Sequence, residues 1–568
     1  MTVVPFRKRL LDPAIAIALG AGYVVLLLST VKNLGYARDE GFYFQAARSY
    51  QGWFDILLQN ASEAMKPAVI DRYWQNNSEH PALMKSLFAL SHQYLFVKHK
   101  LFPDAGTAFR FPGMVMSGIA VAVTYAWGRR AVSRSGGFVA AVLLAMMPRV
   151  FYHAHLACFD MPVAAMWLIT VYVYWRSLDG GWKWILLAGV LYGLLLDTKH
   201  NSWLLPPALI AHFVIVRGKK LGRDLVTGRL GLPTALYAMA LIGPVVFYCL
   251  WPWIWHDTGK RLAAYVAFHM HHEYYNMEFL GRTYWKPPMP LSYAWLMTLG
   301  TVPGITLLLF LLGLGGATVH ALTTRYVKIG SWFLARRGKG PPAPPTAADR
   351  AAFATNVLWL LCILTSYAPW LSKNTPIFGG TKHWITAYPF LCLFAARGFE
   401  LVRRKMTELS ERWKLPARST IVSSTLALTV LLGPTVITLD SHPWGLSAYT
   451  PIVGGAPGAA NLGLNRTFWG YTTGAVQDYL NDHVPPNGAV FVHDTAVQSF
   501  DQMKADGRLR SDIRAGWTIE GSAFSLYHQE PHMQRVEQQI WMDYGTIQPV
   551  DIGAFHGVPV VWIYERPR

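Results

Sequence analysis

An acidic pair, Asp39-Glu40, stands shortly after the first apolar run of the chain, within Tyr-Ala-Arg-Asp-Glu-Gly-Phe-Tyr-Phe. Charged side chains at a membrane boundary are costly unless they serve a purpose. A carboxylate held there can take the proton of an acceptor hydroxyl as a general base. The plainer alternative is a solvated acidic pair at the membrane interface, and the aromatic neighbours weigh against it.

A second polar motif, Ser-Glu-His-Pro-Ala-Leu-Met-Lys, follows in the same predicted loop. Pro81 is typical of the first turn of a helix, so the motif either opens an amphipathic helix or forms part of a pocket. In the second case Glu79 and His80 face the pocket at membrane level, and Lys85 supports the acceptor side.

Three short predicted outer loops carry further acids and bases. Asp160, in Phe-Asp-Met-Pro, is either the N-cap of the next helix or a catalytic carboxylate, and the two roles are compatible. Lys199, in Asp-Thr-Lys-His-Asn, either extends to the interface or neutralises a lipid phosphate. Lys382-His383, before a later apolar run, is another candidate phosphate contact.

Histidines are densest in one stretch of the chain, where His269, His272 and Glu273 fall near one face of a helix. This cluster shapes an acceptor site, binds a divalent cation or belongs to an interfacial aromatic belt. His153 and His155 pose a similar question, because a His-x-His pair before an acid suits zinc. No cofactor is therefore predicted, and a divalent metal ion stays an open alternative.

Nucleotide-binding motifs are absent from the sequence, which has neither Gly-x-x-x-x-Gly-Lys-[Ser/Thr] nor a glycine-rich dinucleotide fingerprint after a strand. A nucleotide-sugar donor is therefore not expected. The four cysteines contain no Cys-x-x-Cys pair and are interpreted as core residues; they are Cys158, Cys249, Cys362 and Cys392.

The composition places these groups in a membrane protein. Of 568 residues, 52% are hydrophobic and 15% are charged, whereas soluble domains average about 25% charged residues. Apolar runs of about 20 residues, the length that crosses a bilayer core, recur along the chain. The predicted fold is a polytopic α-helical membrane protein of eleven spans, which start near residues 13, 111, 136, 162, 184, 202, 232, 291, 351, 384 and 420.

The net charge of +19 arises from bases in short loops between the apolar runs. Clustering of bases on alternate loops marks the cytoplasmic side, so the charge predicts topology rather than nucleic-acid binding. The N-terminus is expected to be cytoplasmic. The loops predicted inside carry their bases at 129–134, 217–229, 336–339 and 403–418, with a flexible linker at 338–345.

Residues 1–440 are predicted to form the membrane-embedded catalytic domain. Two of its outer segments, 32–110 and 253–290, are too long to be simple connectors. The first contains aromatic amphipathic stretches, at 36–54 and 81–96, that are typical of interfacial helices.

Residues 441–568 differ in composition from the rest of the chain. They contain β-like runs at 489–493 and 558–564 and a helical run at 529–541. They are predicted to form a small extracytoplasmic α/β domain.

In order and spacing, these motifs resemble the membrane-embedded GT-C glycosyltransferases, in the family 39-like branch of protein O-mannosyltransferases and lipid A aminoarabinose transferases. The resemblance extends over about residues 7–400. The elements that carry it are Asp39-Glu40 with Tyr43, Glu79-His80-Pro81-Ala82-Leu83, Arg110-Phe-Pro-Gly, Asp160, Lys199, and His383 through Tyr388-Pro389-Phe390.

The resemblance implies an inverting glycosyltransferase that moves a sugar from a polyprenyl-phosphate donor to a hydroxyl or phosphate acceptor on a lipid, polysaccharide or protein. Asp39 would act as the base, with Glu40 and Asp160 as further catalytic acids. Donor and phosphate contacts are expected from Lys199, His80, Tyr43, Arg110, Arg282 and His383. The implied setting is a bacterial inner membrane with the C-terminal domain periplasmic.

The sequence departs from the family pattern at positions that bear on the identity of the acceptor. Ala82 stands where the family has a second proline, and His80 replaces the lysine of the lipid A branch. Residues 441–568 lack the repeat-containing luminal domain of the eukaryotic protein mannosyltransferases. The resemblance therefore does not identify the acceptor of this protein.

Two other functions stay open from the sequence. A transporter or flippase for lipid-linked sugars suits eleven spans, but no internal repeat is evident and the ionisable clusters lie in outer loops. A binding or assembly protein would act through residues 441–568, where Phe468-Trp469-Gly-Tyr471 offers aromatic side chains to carbohydrate. That function would leave the acidic pair and Lys199 unexplained.

Overall fold

The computed structural model describes residues 6–218, 231–325, 345–413 and 419–567. The predicted linker at 338–345 and the basic cluster at 336–339 therefore lie wholly or mostly outside the described residues. The same holds for residues 219–229 of the cluster at 217–229 and for residues 414–418 of the cluster at 403–418. The helices up to residue 217 are α1 (Phe6–Thr30), α2 (Arg38–Gln59), α3 (Ala61–Ala64), α4 (Pro67–Trp74), α5 (Leu83–Ser91), α6 (Ala105–Ala131), α7 (Arg134–Ala145), α8 (Pro148–His155), α9 (Asp160–Ser177), α10 (Trp182–Leu196) and α11 (Leu205–Arg217).

The second half of the membrane region is also helical, apart from a short antiparallel hairpin. The hairpin strands are β1 (Met277–Phe279) and β2 (Arg282–Tyr284). The helices are α12 (Thr234–Leu250), α13 (Thr258–Met270), α14 (Tyr293–Thr301), α15 (Gly304–Arg325), α16 (Ala347–Tyr367), α17 (Tyr388–Arg412) and α18 (Ser419–Asp440).

Six helical segments of the described chain are long and apolar enough to cross a membrane, and a seventh span arises if the bent pair α7–α8 is counted as one. The expected number of eleven is thus not confirmed. The difference lies in four predicted spans that form α9 to α12, helices of 13 to 18 residues that are not among the six. The axes of α7 and α8 meet at 67°.

Close helix packing in the membrane region depends on small residues. On α15 and α17, Gly313 and Gly398 face each other so closely that a Cβ on Gly398 would collide with the carbonyl oxygen of Leu309. Small residues let helix backbones approach each other in this way. The main core of the protein is built around α6, α7, α9 and α17.

The two predicted interfacial stretches are helical, as α2 and α5. The start of α2 is capped by its own side chain, because the Ala37 N–H donates to Glu40 Oε2 at 3.0 Å. The start of α6 is capped by Asp104, which accepts from the Thr107 N–H at 2.6 Å. Both caps satisfy amide groups that the first helical turn leaves unpaired.

The C-terminal region forms the predicted α/β domain around one five-stranded sheet. Its strand order is β4-β3-β5-β7-β6, with β3 parallel to β4 and β5, and β7 antiparallel to β5 and β6. The strands are β3 (Ala489–Phe491), β4 (Arg514–Gly516), β5 (Phe524–His528), β6 (Asp551–Phe555) and β7 (Val558–Glu565). The helices are α19 (Gly455–Asn461), α20 (Gln477–His483), α21 (Val497–Ala505) and α22 (Gln534–Tyr544).

The C-terminal domain packs directly on α2, through α21. A Cβ on Gly41 would come within 2.6 Å of Ser499 Oγ, so the two helices touch closely there. Ser499 Oγ also donates to the Ala37 carbonyl at 2.9 Å. Asp506, which follows α21, accepts from Tyr36 and from the Ala105 N–H. The C-terminal domain therefore contacts α2, the residue Tyr36 before it and the start of α6.

Candidate active site

The side chains of Asp39 and Glu40 point in different directions from the first turn of α2, because successive helical residues are rotated by about 100°. Glu40 is fully buried and forms a two-pronged ion pair with Arg110, with both N···O distances at 2.7 Å. It also accepts from the Ala157 N–H at 3.0 Å. Arg110 donates further to the Gly35 carbonyl at 2.7 Å. Both residues are thus engaged in holding α2, the preceding loop and α6 together.

Asp39 points instead into a cavity of about 330 Å³. The cavity lies between the start of α2, the loops that precede α9 and follow α10, the end of α13, and the segment between α16 and α17. Of the residues predicted from the sequence, its lining contains Asp39, Tyr43, His80, Asp160, Lys199, His269, His272 and His383. The sequence motifs therefore converge on one space, although they are up to 344 positions apart.

Two carboxylates of the cavity each face a lysine. Lys199 Nζ lies 2.6 Å from Asp160 Oδ1, and Lys382 Nζ lies 3.4 Å from Asp39 Oδ2. His153 approaches the other oxygen of Asp160, at 3.5 Å. Burial opposes ionisation of Asp160, but Lys199 and His153 outweigh it and hold its pKa well below the ordinary value. Asp160 is therefore an ionised partner of Lys199.

Neutral imidazoles form much of the remaining polar lining. Burial lowers the pKa of His80, His200 and His383 well below the ordinary value and lowers that of His269 to about 4. His200 and His269 stack with their ring centroids 3.8 Å apart. Within the described chain, the Nδ1 atoms of His80, His200 and His269 are buried and have no hydrogen-bond partner. All three residues line the cavity.

The loop that carries His80 is held by buried ionisable side chains that do not line the cavity. Lys85 Nζ donates to the His80 carbonyl at 2.9 Å and to the Asn77 carbonyl at 2.5 Å. Asp197 accepts from the Ala82 N–H at 3.1 Å. Burial lowers the pKa of Lys85 to about 7 and raises that of Asp197. Glu79 accepts from Asn77 Nδ2 at 2.6 Å. Lys85 and Glu79 thus shape the site without lining the cavity.

Other predicted site residues lie away from the cavity. Glu40 and Arg110 are engaged with each other, Arg282 is exposed on the β1–β2 hairpin, and Glu273 is exposed beyond the end of α13. His155 bonds to Thr30 Oγ1 at 2.9 Å and does not line the cavity. In the described ranges, no group of three or more His, Cys, Asp or Glu side chains is arranged to hold a metal ion.

The apolar walls of the cavity were not predicted from the sequence. Aromatic side chains supply most of them, from the start of α9 and from the segment between α16 and α17, with two hydroxyls at the α16–α17 side. Sequence gives no signal for them, because aromatic residues in apolar runs are typical of any membrane core. These residues are Phe159, Trp167, Trp370, Phe378, Ser366 and Thr386.

Comparison with known proteins gives a family match in the first half of the chain. The family described as dolichyl-phosphate-mannose-protein mannosyltransferase matches residues 92–251, which contain Arg110, Asp160 and Lys199. No curated protein sequence matches the chain.

Two solved structures illustrate the structural similarities. One is ArnT from Cupriavidus metallidurans bound to undecaprenyl phosphate, with 14% identity, a TM-score of 0.44, and 99% of this chain and 98% of that chain covered. The other is the archaeal oligosaccharyltransferase AglB from Archaeoglobus fulgidus with an inhibitory peptide and a dolichol-phosphate. It has 10% identity and a TM-score of 0.47, with 96% of this chain and 72% of that chain covered.

The family match confirms the resemblance that the motifs indicate. With its apolar helices, the chain is an integral membrane protein, and its residues 92–251 are similar to that family of glycosyltransferases.

Proposed function

We propose that the protein is an inverting glycosyltransferase that transfers a sugar from a polyprenyl-phosphate donor to an acceptor hydroxyl or phosphate, with Asp39 as general base. The observation that carries the proposal is the position of Asp39. Its carboxylate is 27% exposed and opens into a cavity that also holds two lysines and several neutral histidines. A carboxylate that can deprotonate the acceptor and cations that can bind a phosphate thus line the same cavity.

The chemistry follows from this arrangement. Asp39 takes the proton of the acceptor hydroxyl while the acceptor oxygen bonds to the anomeric carbon of the sugar. The bond from that carbon to the phosphate oxygen breaks, and its electron pair leaves with the polyprenyl phosphate. Lys199 and the histidines of the lining face the charge that develops on the departing phosphate, which is the kind of fixed stabilisation that lowers such barriers. The proton remains on Asp39 until solvent removes it.

A phosphate-linked donor is favoured over a nucleotide sugar on two grounds. The sequence lacks nucleotide-binding motifs, and the name of the matched family refers to a dolichyl-phosphate-linked sugar. The aromatic and apolar cavity walls, which include Trp203, Met270 and Trp370, suit a lipid-linked substrate. The proposed acceptor is a lipid, a polysaccharide or a protein. The proposed location is a bacterial inner membrane, with the C-terminal domain on its periplasmic side.

The test is the release of polyprenyl phosphate by the purified full-length protein. The protein is offered a panel of polyprenyl-phosphate sugars together with native membrane extract, and the wild type is compared with Asp39→Asn. Release by the wild type alone supports the proposal and names the donor sugar. No release from any donor by folded wild-type protein would contradict it and make transport of lipid-linked sugars the function to test next.

A further inference from the structure

Trp469 of the C-terminal region lies directly behind the lysine that faces Asp39. The centroid of its indole ring is 4.0 Å from Lys382 Nζ, and the ring of Phe378 is 5.3 Å from the same nitrogen. Lys382 has a side chain only 8% exposed. A desolvated ammonium over the face of a tryptophan is the strongest form of cation–π contact. Trp469 itself does not line the cavity.

The backbone of Trp469 also contacts the helix that carries Asp39. Its carbonyl accepts from the Arg38 N–H at 2.8 Å, at the start of α2. The Arg38 side chain forms an ion pair with the buried Asp494 of the C-terminal region. Trp469 therefore contacts Lys382 through its ring and Arg38, the residue before Asp39, through its carbonyl.

The conformation of Trp469 is unusual for its size. Its φ of 71° lies in the left-handed region, which bulky residues rarely adopt. The following Gly470 continues the turn at a φ of 62°, and a Cβ there would come within 2.8 Å of the Asp494 carbonyl oxygen. Such backbone strain persists where the surroundings fix it, and it concentrates at functional sites.

The partner lysine is placed by a similar device on the membrane side. Gly379 and Gly380 have φ values of 69° and 60° and turn the chain just before Lys382. A Cβ on Gly379 would collide with Lys382 Cε, so the lysine side chain folds back across this glycine. Two left-handed turns, 90 positions apart in the chain, thus place one lysine between an indole ring and a carboxylate.

We propose that Trp469 is a positioning residue through which the C-terminal region holds Lys382 against Asp39 in the active site. The inference rests on the proposed function of Asp39 as the base. It assigns the C-terminal region a part in turnover itself, in addition to any part in acceptor recognition. Lys382 in this position keeps a positive charge beside the carboxylate and within reach of the donor phosphate.

The kinetic test compares Trp469→Leu, Trp469→Phe, Lys382→Met and the double variant Trp469→Leu/Lys382→Met in the polyprenyl-phosphate release assay. Trp469→Leu is expected to lower kcat about 2- to 30-fold, the range that corresponds to a cation–π contact, with a smaller change in KM for the donor. Trp469→Phe retains an aromatic face and is expected to recover most of the loss. In the double variant the two losses are expected to be non-additive, because they act through one lysine.

The matched control is Trp517→Leu, a tryptophan of the same region that is 77% exposed. It is expected to behave as the wild type. Wild-type kcat in Trp469→Leu, or losses that multiply in the double variant, would overturn the inference. If Trp469→Leu does not fold, the same cycle is run with Trp469→Phe, where additive losses would overturn it equally.

A second readout does not depend on turnover. Lys382 is labelled with an amine-reactive reagent in the full-length protein, and the extent of labelling is measured by peptide mass spectrometry. Trp469→Leu is expected to raise labelling of Lys382 several-fold while that of Lys199 stays constant, and Trp517→Leu is expected to change neither. Unchanged labelling of Lys382 would overturn the inference. If the wild type is inactive in the release assay, the proposed function is contradicted. The labelling experiment then tests by itself whether Trp469 positions Lys382.

Discussion

Asp39 and Glu40 are neighbours in the sequence but differ in burial and in their hydrogen-bond partners. Glu40 is fully buried and has its oxygens filled by Arg110 and two backbone amides. Asp39 is partly exposed, meets a single lysine at 3.4 Å and opens into the cavity. A buried carboxylate whose oxygens all accept hydrogen bonds stabilises the fold, whereas a carboxylate with an oxygen that lacks a partner can accept a proton. A rotation of about 100° around the axis of α2 thus separates a buried, fully hydrogen-bonded acid from one that opens into the cavity.

The largest effect is expected for Asp39→Asn. Loss of the general base is expected to lower turnover by about 10²- to 10⁴-fold, the usual contribution of such a group. Folding is expected to survive, because the amide keeps the shape of a side chain that makes one contact. Polyprenyl-phosphate release and thermal unfolding measure the two outcomes. Asp55→Asn, on the same helix but outside the cavity, is the matched control, and full turnover in Asp39→Asn would remove Asp39 as the base.

Glu40→Gln is expected to act on stability. It leaves the guanidinium of Arg110 buried without its counter-charge, which typically costs about 3–5 kcal/mol. Thermal unfolding in detergent, or the yield of folded protein, measures the loss. The double variant Glu40→Met/Arg110→Met removes both charges and is expected to regain much of it. A stable but inactive Glu40→Gln would abolish the distinction between the two acids.

Lys199→Met tests the cation on the second acid of the cavity. Removing one preorganised group from a developing charge costs about 10²- to 10³-fold in rate at comparable sites, and a similar loss of turnover is expected. Lys199→Arg is expected to retain part of the activity because it keeps the charge. Lys183→Met, at the exposed opposite end of α10, is the control. Equal turnover in Lys199→Met and the control would exclude Lys199 from the phosphate site.

The smallest effect is a pH dependence of stability that arises from the cavity histidines. The folded state depresses the pKa of His269 to about 4, so the unfolded chain binds its proton first as pH falls. The contribution of His269 to stability is therefore complete above its unfolded pKa of about 6.5 and is lost as the pH falls towards 4. Thermal unfolding between pH 7 and pH 4 measures the slope. His269→Gln is expected to flatten it, and an unchanged slope would contradict the depressed pKa.

The sequence drew attention to several polar residues that line the cavity, because charged side chains stand out in a membrane protein, and their functional roles stay predictions. Asp39, Asp160 and Lys199 lie together in the structure as their motifs indicated. Pattern alone did not distinguish Asp39 from Glu40, since the direction of each side chain depends on the helix start and on the distant Arg110. The exposed position of Arg282 had no signal either, because it depends on how the β1–β2 hairpin lies.

The fold was predicted in type more securely than in detail. The C-terminal β-like runs at 489–493 and 558–564 correspond to β3 and β7, and the helical run at 529–541 overlaps α22. Hydropathy predicted more spans than the described chain supports, because an apolar run reveals neither the length of its helix, as in α10 to α12, nor a bend such as that between α7 and α8. The packing of α21 on α2 links residues more than 450 positions apart, which no local pattern can indicate.

The contact between Tyr36 and Asp506 has a consequence for biosynthesis. The two residues are 470 positions apart in the chain. At about 5–20 residues per second, the ribosome needs about 25–95 s to deliver the second after the first. During that interval the segment around Asp39 lacks its contacts with α21 and Asp506 of the C-terminal domain. A chain stopped before residue 469 would contain all eighteen described helices up to Asp440 and would still lack the tryptophan behind Lys382.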